Sequence, residues 1–75
     1  MMSAHFETYR GVTLIVTPGS GNKQGTFELS WPGHPVEMVR SMYRNAEYIT
    51  AEAKEFIDAW IEDGYVVLPV AQEEK

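Results

Sequence analysis

A chain of 75 residues, 44% hydrophobic and 23% charged, has the composition of one small globular domain and is too apolar for a disordered segment. It has no cysteine, which excludes a disulfide framework and any thiolate zinc site, and it has no apolar run long enough to span a membrane. The formal net charge of −5 opposes a phosphate backbone, so nucleic acid is an unexpected partner.

The charge is unevenly spread. Residues 1–44 set Arg10, Lys23, Arg40 and Arg44 against Glu7, Glu28 and Glu37, which leaves +1; residues 45–75 set two lysines against eight carboxylates, which leaves −6. The plainest reading of the second half is a solvated acidic helix and tail. The opening "MMSAHFETYR" lacks a basic stretch followed by an apolar one, so a cytoplasmic location is the expectation.

In chain order, residues 5–17, "HFETYRGVTLIVT", read as one strand. Val12, Leu14 and Val16 alternate with Thr13, Ile15 and Thr17 in a stretch rich in β-branched residues. Gly11 marks a bulge or the start of the regular strand. Residues 18–25, "PGSGNKQG", hold three glycines, a proline and an asparagine and read as a turn. Residues 26–31, "TFELSW", alternate again, with Phe27, Leu29 and Trp31 on one side. The two segments form an antiparallel hairpin in which Val12, Leu14 and Val16 share a face with Phe27, Leu29 and Trp31. Pro32 and Pro35 end the second strand, because proline donates nothing to a ladder.

Residues 36–49, "VEMVRSMYRNAEYI", fit two patterns: a helix with Val36, Val39, Met42 or Tyr43 and Ala46 on one side, or a third strand around 38–44 with a short lead-in to a helix. The strand is the preferred reading. Residues 50–63 then read as an amphipathic helix. Thr50 suits the N-cap, Glu52 suits the positive end of the dipole, and Ala53, Phe56, Ile57, Trp60 and Ile61 make one apolar stripe. Gly64 is placed to end the helix in a left-handed conformation. Residues 65–70, "YVVLPV", fit an added edge strand, since Pro69 confines it to an edge, or a segment that pairs with a second copy of the chain. Residues 71–75 are a polar tail. The expected fold is α+β, a single domain with its core over about residues 5–70. An antiparallel two- or three-stranded sheet is packed by one C-terminal amphipathic helix, with residues 65–70 as an extra edge strand.

Little in the chain points to chemistry. The loop "GSGNKQG" lacks the Gly-Lys-Ser/Thr ending of a phosphate-binding loop and is followed by a strand, so neither nucleotide motif is present and no cofactor is expected. His5 and His34 are the only histidines, without paired ligand spacing, and no metal is expected. Ser20, Ser30 and Ser41 have no recognisable nucleophile context. Arg40 and Arg44 are the residues of most interest: four apart, they share a face in a helix or a strand, and with Tyr43, Arg10 and Lys23 they form a candidate surface for an anionic ligand or an acidic partner. The plainer alternative is a solvated pair bridged to Glu37 and Glu47.

Tyr9-Arg10-Gly11 before an apolar strand, and Thr50, Ala53, Ile57 and Asp58 in the helix, resemble small uncharacterised bacterial and phage-borne domains with a three-stranded sheet and one C-terminal helix, over roughly residues 6–62. That resemblance implies a fold and no activity. The layout is also similar to the antitoxin-type partial double-stranded-RNA-binding fold and to the arm-binding domain of phage integrases. Such a likeness implies a basic nucleic-acid face, and the net charge of −5 departs from it. The expectation is a non-enzymatic interaction or structural module, with a protein partner or self-association. The alternative is a nucleic-acid accessory domain using Arg10, Lys23, Arg40 and Arg44.

Overall fold

The computed structural model describes residues 4–68. Four strands, β1 (His5–Tyr9), β2 (Val12–Thr17), β3 (Thr26–Ser30) and β4 (Glu37–Arg40), precede one helix, α1 (Ala46–Glu62). The strands form a single antiparallel sheet in the order β1-β2-β3-β4, so the fold is α+β. No helix among the described residues is long and apolar enough to cross a membrane.

The segment 5–17 is two strands. Tyr9 pairs with Val12, which leaves Arg10 and Gly11 as a two-residue turn with φ of 53° and 84°. Two successive positive φ values match the right-handed twist of a hairpin. Glycine takes that conformation freely; Arg10 takes it with its Nη1 2.8 Å from Asp58 Oδ1.

The expected hairpin face is present. Register places Val16 opposite Phe27 and Leu14 opposite Leu29, and Val12, Leu14, Val16, Phe27 and Leu29 are fully buried, with Trp31 7% exposed. The helix covers this face, lying against β2, β3 and β1. Its buried residues are Ile49, Ala53 and Ile57, spaced i, i+4, i+8, while Phe56, Trp60 and Ile61 pack against the core from a half-buried position. Each fully buried aliphatic or aromatic side chain contributes roughly 1.5–3 kcal/mol.

The helix begins a turn earlier than Thr50. Asn45, with φ −81° and ψ 130°, is the N-cap, and its side chain accepts a hydrogen bond from the Glu47 amide. Starting there places Ile49 on the buried stripe. Thr50 lies inside the helix, where its hydroxyl donates to the Ala46 carbonyl at 2.8 Å. The C-terminus ends as the sequence predicts: Gly64, at φ 82°, donates to the Ile61 carbonyl while Tyr65 N–H donates to the Trp60 carbonyl, the Schellman arrangement.

Residues 36–49 resolve into β4, a connection over 41–45 and the first turn of α1. Residues 65–68 form no strand; Pro69 and Val70, like the tail 71–75, lie outside the described residues. Val66 is buried instead, 4% exposed, and Leu68 lies against Gly11, so this segment packs on the core by side chains.

Candidate functional site

The connection between β4 and α1 places most of the predicted residues. Ser41, 1% exposed, donates from Oγ to Glu52 Oε1 at 2.5 Å and accepts from the Tyr43 amide at 2.9 Å. A buried hydroxyl satisfied on both sides fixes the chain on either side of it. The loop 18–25 is laced to the same connection: Gly19 N–H donates to the Arg44 carbonyl, Gly25 N–H to the Tyr43 carbonyl and Ser41 N–H to the Gly25 carbonyl, at 2.9–3.1 Å. Glycine is required at this seam for space. A Cβ on Gly25 would collide with the Thr17 carbonyl oxygen and the Ile49 δ-methyl, and one on Gly19 with the Lys23 carbonyl. Gly19 and Gly25 are therefore packing residues, while Gly21 stands in open space at a φ of 59°.

Two concave surfaces flank this connection. One is a groove of about 450 Å³ lined by Met42, Tyr43, Tyr48, Ala51, Glu52, Glu55 and Phe56. Tyr43 and Tyr48 meet edge to face at 5.6 Å. Met42 is 65% exposed and Tyr48 60%, so a large apolar side-chain cluster faces water, with two carboxylates in its wall. The other is a hollow of about 360 Å³ lined by Asn22, Lys23, Gln24, Thr26 and Arg40.

Of the predicted site residues, Lys23 and Arg40 meet in the second hollow. Arg44 does not share a regular face with Arg40, because β4 ends between them; its guanidinium donates to the Gly21 carbonyl in the same loop. Tyr43 belongs to the groove. Arg10 stands apart in the β1–β2 turn, paired with Asp58, and the pair holds its guanidinium more firmly protonated than usual. Arg10, Lys23, Arg40 and Arg44 therefore do not gather on one sheet face. Bridges from Arg40 and Arg44 to Glu37 and Glu47, the plainer expectation from the sequence, are not formed among the described residues.

The end of the sheet near Trp31 is occupied differently. Trp31 stacks on His34 at 4.3 Å between ring centroids, and Trp60 and Tyr65 meet it edge to face. Tyr65 Oη donates to Glu37 Oε2, which also lies 2.8 Å from His34 Nε2. The hydrogen bond from Tyr65, with that of His34 behind it, holds the Glu37 carboxyl below its ordinary value, and the same bond raises the Tyr65 phenol. A polar seam joins β1 to the helix: Lys54 Nζ lies 2.8 Å from Glu7 Oε2, and Tyr9 Oη donates to Asp58. Among the described residues no three histidine or acidic side chains gather as a metal site.

Composition hides the groove because Met42 and Tyr43 lie just beyond a strand and Tyr48 lies in the first turn of a helix, so no single periodicity contains them. The one available signal is that all three fall off the buried stripe that begins at Ile49. Comparison with known protein families, curated proteins and solved structures finds no match for this chain.

Proposed function

We propose that the protein is a non-enzymatic protein-interaction module that docks its partner in the groove between the β4–α1 connection and the helix. The observation that carries this reading is the exposure of Met42, Tyr43 and Tyr48 around one concavity. Tyrosine and methionine are enriched at interfaces because they offer large contact area and adaptable packing. The wall carries Glu52 and Glu55, and Glu47 begins the same helix, so the partner that fits is a segment with an apolar anchor flanked by lysine or arginine. A second copy of this chain fits less well, since its own helix face is acidic and the chain carries −5. A nucleic-acid face using Arg10, Lys23, Arg40 and Arg44 draws less support, because Arg10 is engaged by Asp58 and lies outside the hollow that brings Lys23 and Arg40 together.

The test is a titration of the labelled protein, followed by amide chemical shifts, with synthetic peptides bearing one Leu, Phe or Trp between arginines, and with the same peptides bearing glutamates. Saturable shifts at Met42, Tyr48, Ala51 and Glu55 with the arginine set alone support the reading. Shifts elsewhere, or equal response to both sets, overturn it. Light scattering in parallel assigns any concentration-dependent shifts in the free protein to self-association.

A further inference from the structure

We propose that the hollow between the β2–β3 loop and the end of β4 is a binding site for a single compact oxyanion of the phosphate-monoester class, with Lys23 and Arg40 as its charged ligands. The walls are Asn22, Lys23, Gln24, Thr26 and Arg40: two cations, two side-chain amides and a hydroxyl, every one able to donate a hydrogen bond, and no carboxylate. Neither cation has an ion-pair partner among the described residues, in contrast to Arg10 and Lys54. The acid on the same sheet face is Glu28, two pairs along from the Thr26–Arg40 pair and opposite Met38, and it does not line the hollow.

The charge matches one ligand. A phosphate monoester carries about −1.5 to −2 at neutral pH, which two cations neutralise. A nucleic-acid track needs a row of cations, since each neutralised phosphate contributes separately to affinity, and Lys23 and Arg40 are the two that line this hollow. The site is also held in shape before anything binds. Ser20 and Lys23 exchange two backbone hydrogen bonds, of 3.1 and 2.8 Å, the Arg44 guanidinium clasps the Gly21 carbonyl, and Gly19 and Gly25 bond to the carbonyls of Arg44 and Tyr43. Lys23 is thereby carried at a fixed distance from the strand that carries Arg40. Such preorganisation lowers the cost of ordering the ligands. Arg44 acts here as a positioning residue; Arg40 supplies the planar fork that suits a tetrahedral oxyanion.

The experiment is an amide chemical-shift titration of the whole chain at constant ionic strength with inorganic phosphate, with O-phosphoserine and with a thymidine octanucleotide. Expected are saturable shifts confined to residues 21–26 and Arg40 with phosphate or phosphoserine. Response to both assigns the site to the phosphate group alone, and a preference for phosphoserine assigns it to an ester. Lys23→Gln and Arg40→Gln each weaken binding about tenfold, and since both side chains are exposed the circular-dichroism melt stays that of the wild type. The site is independent of the groove, so Tyr48→Ala leaves this titration unchanged. Shifts that rise linearly and are spread over the surface, an unaltered response in Arg40→Gln, or tighter binding of the octanucleotide overturns the proposal.

Discussion

Trp31, His34, Trp60 and Tyr65 at one end of the sheet and Met42, Tyr43 and Tyr48 at the other are both aromatic-rich clusters, yet they do opposite things. At the first, Trp31 and Tyr65 each lie 4.3–6.0 Å from the other three rings between centroids, the Tyr65 phenol and the His34 ring converge on one carboxylate, and Trp31 is nearly dry. At the second, two tyrosines meet edge to face, no hydrogen bond from either phenol is formed among the described residues, and the methionine is open to water. At the first cluster the Tyr65 phenol is bonded and the Trp31 ring is covered, which suits a structural role; the second leaves its phenols and its ring faces to water. Phe56 connects the two regions: it packs against Phe27 and Trp60 and also lines the groove.

The largest effect that tests this contrast comes from Trp31→Ala. Removing a buried tryptophan costs about 3–5 kcal/mol, and in a domain of this size each kcal/mol lowers the melting temperature by about 4–8 °C. The expected result is a thermal melt displaced by more than about 12 °C or a chain that no longer folds. A Trp31→Ala melt within a few degrees of wild type breaks the comparison at its structural end.

Gly25→Ala comes next. The new methyl meets the Thr17 carbonyl at the end of β2 and the δ-methyl of the buried Ile49, so the loop has to shift away from the β4–α1 connection. Overpacking of this kind costs about 1–3 kcal/mol. The melt should fall by an intermediate amount, and hydrogen exchange at the Gly25 and Ser41 amides, both bonded across this seam, should accelerate relative to those of β2. Protection unchanged at both amides would show that the seam tolerates the methyl.

The parts of this molecule legible in the sequence are those where a single period governs. Alternation places Val12, Leu14, Val16, Phe27 and Leu29 on one face, and a 3.6-residue period places Ala53 and Ile57 over them. The turn at Arg10-Gly11 is hidden because arginine seldom takes positive φ, and the partner of its side chain, Asp58, is 48 residues away. The helix start reads as Thr50 in the sequence because threonine and asparagine are both good caps, and only the burial of Ile49 decides between them. Lys23 and Arg40 are candidates on charge alone. Their meeting depends on backbone bonds from the 18–25 loop to residues 41–44, and the groove depends on the Ser41–Glu52 contact; neither belongs to a local pattern.

Acid pH probes the Trp31 end without mutation. The folded Glu37 carboxyl, bonded by Tyr65 and then His34, is held below its ordinary 4.5, and Glu7 is lowered likewise by Lys54 and then His5. A group whose folded value is depressed stabilises the fold above the unfolded value, and that contribution fades as pH falls through the folded value. Stability should decline below about pH 4.5, and in Glu37→Gln the slope over that interval should be shallower. The raised Tyr65 phenol gives the mirror image: its contribution is present below its ordinary value of 10 and fades as pH rises through the higher folded one. Denaturant melts at stepped pH read both limbs, and an identical acid slope in Glu37→Gln would mean that the carboxylate at the Trp31 end carries no linkage.

Tyr48→Ala should have the smallest effect on stability and the largest on docking. Tyr48 is 60% exposed, its contact with Tyr43 is with another exposed ring, and it lies in the first turn of α1 beside a cap made by Asn45 rather than by itself. A surface substitution away from a cap, core or buried pair changes stability by no more than about 0.5 kcal/mol. The expected melt is therefore that of the wild type, while the arginine-flanked peptides lose their saturable shifts at Ala51 and Glu55. A melt lowered as far as that of Trp31→Ala would make the two aromatic clusters alike, with Tyr48 part of the core. An unchanged melt with unchanged peptide binding would leave the exposed ring without a partner in the groove, and the docking reading would fall while the fold stood.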